Sequence, residues 1–189
     1  MKKLTLLALV LSAVTTAIAQ TAFRSASLNI VIAGTSTLHD WEMKSSSGSA
    51  QATFTTDAAG KPTALGALTF TMTATSLKSG KESMDNNAYK ALNTKSSDLI
   101  RYTATSGTVS PAGGTNYTVR CTGVMTIAGK AMNTDLTATI TVGADGSYSV
   151  SGVKAIKMTQ YGVKPPTFMM GAIKTGDDLT INFKTLLRQ

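Results

Sequence analysis

Leu68-Thr69-Phe70-Thr71-Met72-Thr73-Ala74-Thr75 decides the fold, because four apolar residues alternate without a break with four threonines. Side chains on a β-strand point to opposite faces in turn, so this stretch has one dry face and one wet face. The β-branch of threonine suits an extended backbone and its hydroxyl suits water. Working outward, the same period of two recurs in both directions. Leu28, Ile30 and Ile32 carry it, then Ala50, Ala52 and Phe54. After the quoted stretch come Ile100, Tyr102 and Ala104, followed by Tyr117, Val119 and Cys121. Leu136, Ala138, Ile140 and Val142 follow, and Tyr148 and Val150 begin a further strand, expected to continue with a shift of face to Met158. Leu179, Ile181 and Phe183 close the chain.

Turn residues punctuate these runs at Asp57–Pro62, Ser110–Gly114, Ala128–Lys130 and Asp145-Gly146. The reading is all-β: an antiparallel eight-stranded sheet, closed into a barrel or folded as a sandwich. One segment departs from it. In Ser83–Asn93 the alternation stops, and Met84, Ala88 and Leu92 fall on one helical face. The pattern predicts a short helix between the third and fourth strands, capped by Ser83 and with Asp85 in its first turn. Its apolar face is suited to covering one mouth of a barrel or to lying on the outside.

Residues 1–19 read as a signal peptide: Lys2 and Lys3, an apolar run from Leu4 to Val14, and Ala17-Ile18-Ala19 before the cut. The run is shorter than the roughly 20 residues that span a bilayer, so no transmembrane span is expected. Residues 20–189 then form a single domain, exported to a periplasm or to the outside of the cell. Removing Lys2 and Lys3 from the 18 basic residues, against 10 acidic ones, leaves a net charge of +6. These positives are dispersed and few aromatics lie among them, which argues against nucleic acid as a partner. Anionic membrane surfaces or lipid head groups fit the charge better. Homo-oligomers stay open.

Catalytic chemistry has little material. His39 is the single histidine and Cys121 the single cysteine, so neither a zinc site nor a disulfide is expected, and Cys121 reads as a small buried hydrophobe. His39-Asp40 is the one acid–base pair, and neighbours on a strand point to opposite faces. A hydrolase or isomerase using His39 is the weakest of three readings. The apolar inventory is more telling. Eight methionines follow the signal segment, and methionine adapts to irregular apolar guests. The expected inward positions mix many alanines with fewer large groups, and an eight-stranded barrel can hold one small ligand.

Four blocks resemble the YceI-like family, a lipocalin-like group of exported polyisoprenoid-binding proteins. They are Gly34-Thr35-Ser36-Thr37-Leu38-His39-Asp40-Trp41, the strand–helix block from Leu65 to Tyr102 with Leu77-Lys78-Ser79-Gly80, Gly123-Val124-Met125-Thr126-Ile127-Ala128-Gly129-Lys130, and Tyr161-Gly162-Val163-Lys164-Pro165-Pro166-Thr167 with Gly171 to Asp177. The resemblance implies a lipocalin-like barrel that binds an isoprenoid-like lipid non-catalytically, with no cofactor beyond a bound isoprenoid or isoprenoid quinone. The lining is then expected from Phe54, Phe70, Met72, Met84, Leu92 and Tyr102, with Phe168, Met169 and Met170 near an opening and His39 and Trp41 at the ligand's polar end. The segment Met84–Leu92 lacks the arginine and histidine that many members carry in their helical stretch, so contacts of those residues to a ligand head do not transfer. The alternative is a filled-core protein–protein interaction module of the cell envelope, with an apolar surface around Val163–Met170.

Overall fold

The computed structural model describes residues 20–189; the expected signal peptide lies outside the described residues. The chain forms β1 (Gln20–Ser36), β2 (Trp41–Ser45), β3 (Ser49–Thr56) and β4 (Pro62–Thr73), then the helix α1 (Glu82–Ala91). After it come β5 (Leu99–Ala104), β6 (Gly107–Pro111), β7 (Asn116–Ile127), β8 (Lys130–Val142), β9 (Tyr148–Lys157), the two-residue β10 (Thr167–Phe168) and β11 (Ile173–Arg188). All pairings are antiparallel, and β1 closes the sheet on itself by pairing with β11 from Arg24↔Arg188 to Ser36↔Thr175.

Eleven strands fill eight barrel positions. β2 and β3 pair with successive parts of β1, Gly34↔Trp41 to Ile30↔Ser45 and then Arg24↔Gln51 to Gln20↔Thr55, so together they make one staff of the barrel. β5 and β6 likewise share the place between β4 and β7. Trp41–Ser45 is a strand of its own, and α1 therefore follows the fourth strand of the chain, not the third. The hydroxyl-rich approach to Trp41 hides that strand from a reading based on alternation. Ser83 does not cap α1 either. The cap position is Lys81, without a side-chain hydrogen bond, because the helix starts one residue before Ser83.

The expected shift of face in β9 does not occur. Tyr148, Val150, Gly152, Lys154 and Ile156 keep one parity, and Val153 is left 61% exposed on the outside. Asp177 and Asp178 lie within β11, not in a turn before it. The outward faces of β7 and β8 carry the expected threonines, as at Thr118, Thr122, Thr137 and Thr139. One end of the barrel is closed by aromatic packing: the ring of Phe23 stacks on Tyr148 at 4.2 Å, and Phe54 meets both edge-on. α1 and the loops beside it stand at the opposite end.

α1 is tied down by polar contacts. The Asp85 carboxylate is buried in its first turn and accepts hydrogen bonds from the Ser79 amide and hydroxyl, both at 2.7 Å, with the Lys78 ammonium at 3.9 Å. Lys78 accepts from and donates to Lys44 of β2 through the backbone at 2.8 Å, and the Tyr89 hydroxyl donates to the Leu77 carbonyl at 2.6 Å. Desolvation raises the Asp85 pKa, but the Ser79 hydrogen bonds and the charge of Lys78 outweigh it, so the carboxyl sits below its usual range. A depressed carboxyl contributes stability above the unfolded value of about 3.9 and loses it as pH falls through the folded value. Asp85→Ala is expected to destabilise the segment by about 1.5–3 kcal/mol, the scale of charged hydrogen bonds. Hydrogen exchange across Leu77–Leu92 reads this as faster opening in the variant at pH 7, and as little difference between variant and parent once Asp85 is protonated.

Candidate functional site: the barrel interior

Inside the barrel lies a cavity of about 530 Å³, within the 300–1,000 Å³ range of ligand pockets. The interior is therefore not solid, contrary to what a filled-core module requires. Its wall is drawn from every staff, because each strand turns its alternate apolar side chains inward. Ala50, Ala52 and Ala138 supply small stretches of that wall, while Phe183 lies across Gly152, where a Cβ would collide with the ring. Five methionines, Met43, Met72, Met84, Met125 and Met158, take part.

Phe54, Phe70, Met72, Met84, Leu92, Tyr102 and Phe168 all line the cavity, and His39 and Trp41 stand at its open end. Phe54 is nearest the closed end, where it joins the aromatic stack. Met84, Ala88, Ala91 and Leu92 bring the apolar face of α1 over the interior. Met169 and Met170 are not part of the wall. They are 75% and 109% exposed, because the chain turns at both residues with φ near +50° and carries their side chains away from the lumen.

Tyr102 presents its ring, not its hydroxyl. That hydroxyl donates to the Thr134 carbonyl at 3.0 Å and lies 3.5 Å from Cys121 Sγ; burial, then Cys121, pushes its pKa far above the ordinary phenol value. Burial also raises the Cys121 thiol, which keeps it protonated and unreactive. Every buried side-chain nitrogen or oxygen among the described residues has a hydrogen-bond partner. Trp41 and His39 line the open end. There Trp41 lies against Gly34, its indole nitrogen donating to the Thr35 carbonyl at 3.0 Å.

His39 is exposed on the loop between β1 and β2, with Nδ1 2.7 Å from the Asp40 carbonyl. The Ser36 hydroxyl donates to the His39 carbonyl at 2.7 Å instead of meeting the imidazole. No serine–histidine–carboxylate relay is assembled at this loop. Among the described residues no group of three histidine, cysteine, aspartate or glutamate side chains is placed to hold a metal ion. No described helix is long and apolar enough to cross a membrane.

Lys154 is a wall residue that alternation missed, as is Arg101, and Lys81 also reaches the cavity. Lys154 lies half-buried on the inward face of β9, opposite Ile181 and two residues past Gly152, where the β8–β9 ladder ends at Ala138↔Gly152. A lysine at an inward position beside an outward valine is a signal legible in Val153-Lys154, but it reads first as a change of face. No aspartate or glutamate lines the cavity.

A closed antiparallel barrel with a ligand-sized apolar interior and a helix at its open end defines the lipocalin-like class. Within that class the chain belongs to the YceI-like family, whose domain matches residues 14–187. It is similar to a polyisoprenoid binding domain from Saccharophagus degradans implicated in plant cell wall breakdown, at 12% identity and a TM-score of 0.65 over 88% of this chain and 97% of that one. It is also similar to Burkholderia cenocepacia BcnA, at 22% identity and a TM-score of 0.63 over 86% and 96% of the two chains. Campylobacter jejuni YCEI protein gives 19% identity and a TM-score of 0.54 over 74% and 81%. No curated protein matches the chain.

Proposed function

We propose that this protein carries an isoprenoid or a similar long-chain amphiphile inside its barrel, without catalysis, after export to the periplasm or the cell exterior. The observation that carries the reading is the cavity of about 530 Å³ with an almost wholly apolar wall. The polyisoprenoid binding named for the Saccharophagus degradans relative supports it. Burying about 20 ligand carbons at roughly 0.8 kcal/mol each gives about 16 kcal/mol gross. Association and ordering remove about 4–15 kcal/mol of that, which leaves micromolar or tighter binding within reach of apolar contact alone. The hydrocarbon lies along the barrel with its tail toward Phe54, and its polar end lies near His39, Trp41 and Lys154.

Native mass spectrometry of gently purified protein tests the reading. The expected spectrum shows a reproducible added mass that organic extraction releases as a long-chain lipid, and isoprenoid quinones then quench Trp41, the single tryptophan. A barrel that is always empty, together with unchanged tryptophan emission, would end the carrier reading.

Lys154 adds a prediction about the ligand's polar end. Lys154→Met keeps the stem and removes the ammonium. It is expected to weaken binding of an amphiphile with an acidic head by about tenfold or more, since a hydrogen bond to a charged group contributes roughly 1.5–3 kcal/mol. Binding of the corresponding alcohol should change little. Competition titrations on Trp41 emission compare the two, and equal losses for both would show that Lys154 acts only through packing.

A further inference from the structure

We infer that the open end of the barrel carries a docking surface for anionic phospholipid bilayers, formed by Leu38, Met169 and Met170. The two loops that bear them are one unit. Thr37 donates its amide to the Lys174 carbonyl at 3.0 Å, its hydroxyl reaches the Ala172 carbonyl, and the Lys174 amide donates back to that hydroxyl at 3.2 Å. Leu38 is 66% exposed on one loop, and the adjacent methionines of the other are the most exposed large apolar side chains described. Both methionines adopt the left-handed backbone that non-glycine residues seldom take, which holds them outward where folding itself gains nothing from them. Contiguous exposed apolar groups of this kind mark an interaction site.

A bilayer fits this surface better than a protein does. The pair projects from a tight turn, the shape of an insertion into an interface and not of a flat complementary patch. The segment from Thr159 to Gly176 carries Lys164 and Lys174 and no acidic residue, which suits a negative leaflet. Nearby carboxylates are mostly engaged: Glu42 with Lys44, Asp178 with Lys157, and Asp177 with Thr159. Asp40 and Glu82 remain on the rim as opposing charges, and Lys81 stands beside Glu82. The surface is continuous with the cavity, because Phe168 and Ile173 flank the methionine turn and both line the lumen. Resting on the carrier reading, this contact sets the mouth against the membrane and gives a lipid a path from leaflet to barrel without crossing water.

Co-sedimentation of the purified protein with mixed phosphatidylcholine–phosphatidylglycerol vesicles, and with phosphatidylcholine alone, tests the inference. The parent is expected to bind the mixed vesicles and to lose binding as salt is raised. The variant carrying Met169→Ser and Met170→Ser, neither of which lines the cavity, should lose at least tenfold in partitioning, while its Trp41 quenching by a short soluble isoprenoid stays that of the parent. Lys164→Gln with Lys174→Gln should flatten the salt dependence. Parent protein that ignores the vesicles, or a serine variant that binds them equally well, overturns the docking surface. So does a parent dimer in sedimentation velocity that the serine variant dissolves, since the patch would then join two copies. Loss of isoprenoid quenching in the parent itself would instead remove the carrier reading and leave vesicle binding to stand alone.

Discussion

Replacing Ala52 and Ala138 together with phenylalanine is expected to leave a folded barrel that no longer takes up ligand. Both alanines are buried, 4% and 8% exposed, and both line the cavity from different staffs, Ala52 on β3 and Ala138 on β8. Enlarging a residue in a filled core costs about 1–3 kcal/mol because side chains leave their rotamers. Here each new ring has empty volume ahead of it, and the apolar surface it covers offsets part of that strain. Thermal unfolding should therefore shift by only a few degrees, with β-sheet circular dichroism unchanged. The ligand fares differently. If the rings displace about five carbons, roughly 4 kcal/mol of burial is lost. That is close to a thousandfold in affinity. Quenching titrations on Trp41 and native mass spectrometry both read the loss. A folded double variant that still binds like its parent would mean that the guest sits outside the barrel.

How much of this was legible in the sequence depends on where side chains alternate. Leu68–Thr73 announces β4, although the alternation runs on to Thr75 while the chain enters a 3₁₀ turn at Ala74–Ser76; Tyr117–Cys121 and Leu136–Val142 announce β7 and β8, because every second residue there is apolar and the others are polar. β2 is hidden: five residues after Thr35–Asp40, with only Trp41 and Met43 as apolar markers, do not make a period. The first half of β1 is hidden for a related reason. Phe23 is 1% exposed, yet among Gln20–Ser27 it is the single large apolar residue. Closure itself is not written in any one strand. It arises from the ladder between β1 and β11, whose partners are more than 130 residues apart.

The cavity was legible only as composition. Alanines and methionines facing inward suggest spare volume, but whether neighbouring side chains collapse into it depends on packing across the barrel. Phe183 folded over Gly152, and α1 held over the mouth by Asp85 and Tyr89, keep the lumen shaped without filling it. Lys154 shows the opposite failure. Alternation treats an inward lysine as evidence that the strand has changed face, whereas β9 keeps its register and sets the ammonium at the end of a broken ladder. A local rule fails there because a half-buried lysine can lay its apolar stem on the inward face and keep its ammonium toward the open end.

Tyr148→Ala is expected to be the most destabilising single change in the closed end, by about 3–5 kcal/mol, the cost of removing a large buried ring. Tyr148 is fully buried, stacks on Phe23 at an interplanar angle of 22°, and meets Phe54 edge-on with centroids 5.4 Å apart. Its hydroxyl donates to the Gly60 carbonyl at 2.8 Å, which ties the β3–β4 turn across the barrel end. At roughly 2–4 °C per kcal/mol for a domain of this size, the melting temperature should fall by about 6–20 °C. Tyr148→Phe keeps the stack and should cost only about 1 kcal/mol, the net value of one hydrogen bond. Burial, then the charges of Tyr117 and Asp57, pushes the Tyr148 pKa up to about 12. A raised phenol contributes stability below its unfolded value near 10 and loses it as pH climbs toward the folded one, so the parent should weaken between about pH 10 and 12. Tyr148→Phe should lose less over that interval. Urea unfolding at pH 7, and again along the alkaline series, measures both effects. A Tyr148→Ala barrel within 1 kcal/mol of its parent would show that the aromatic stack is not what seals this end.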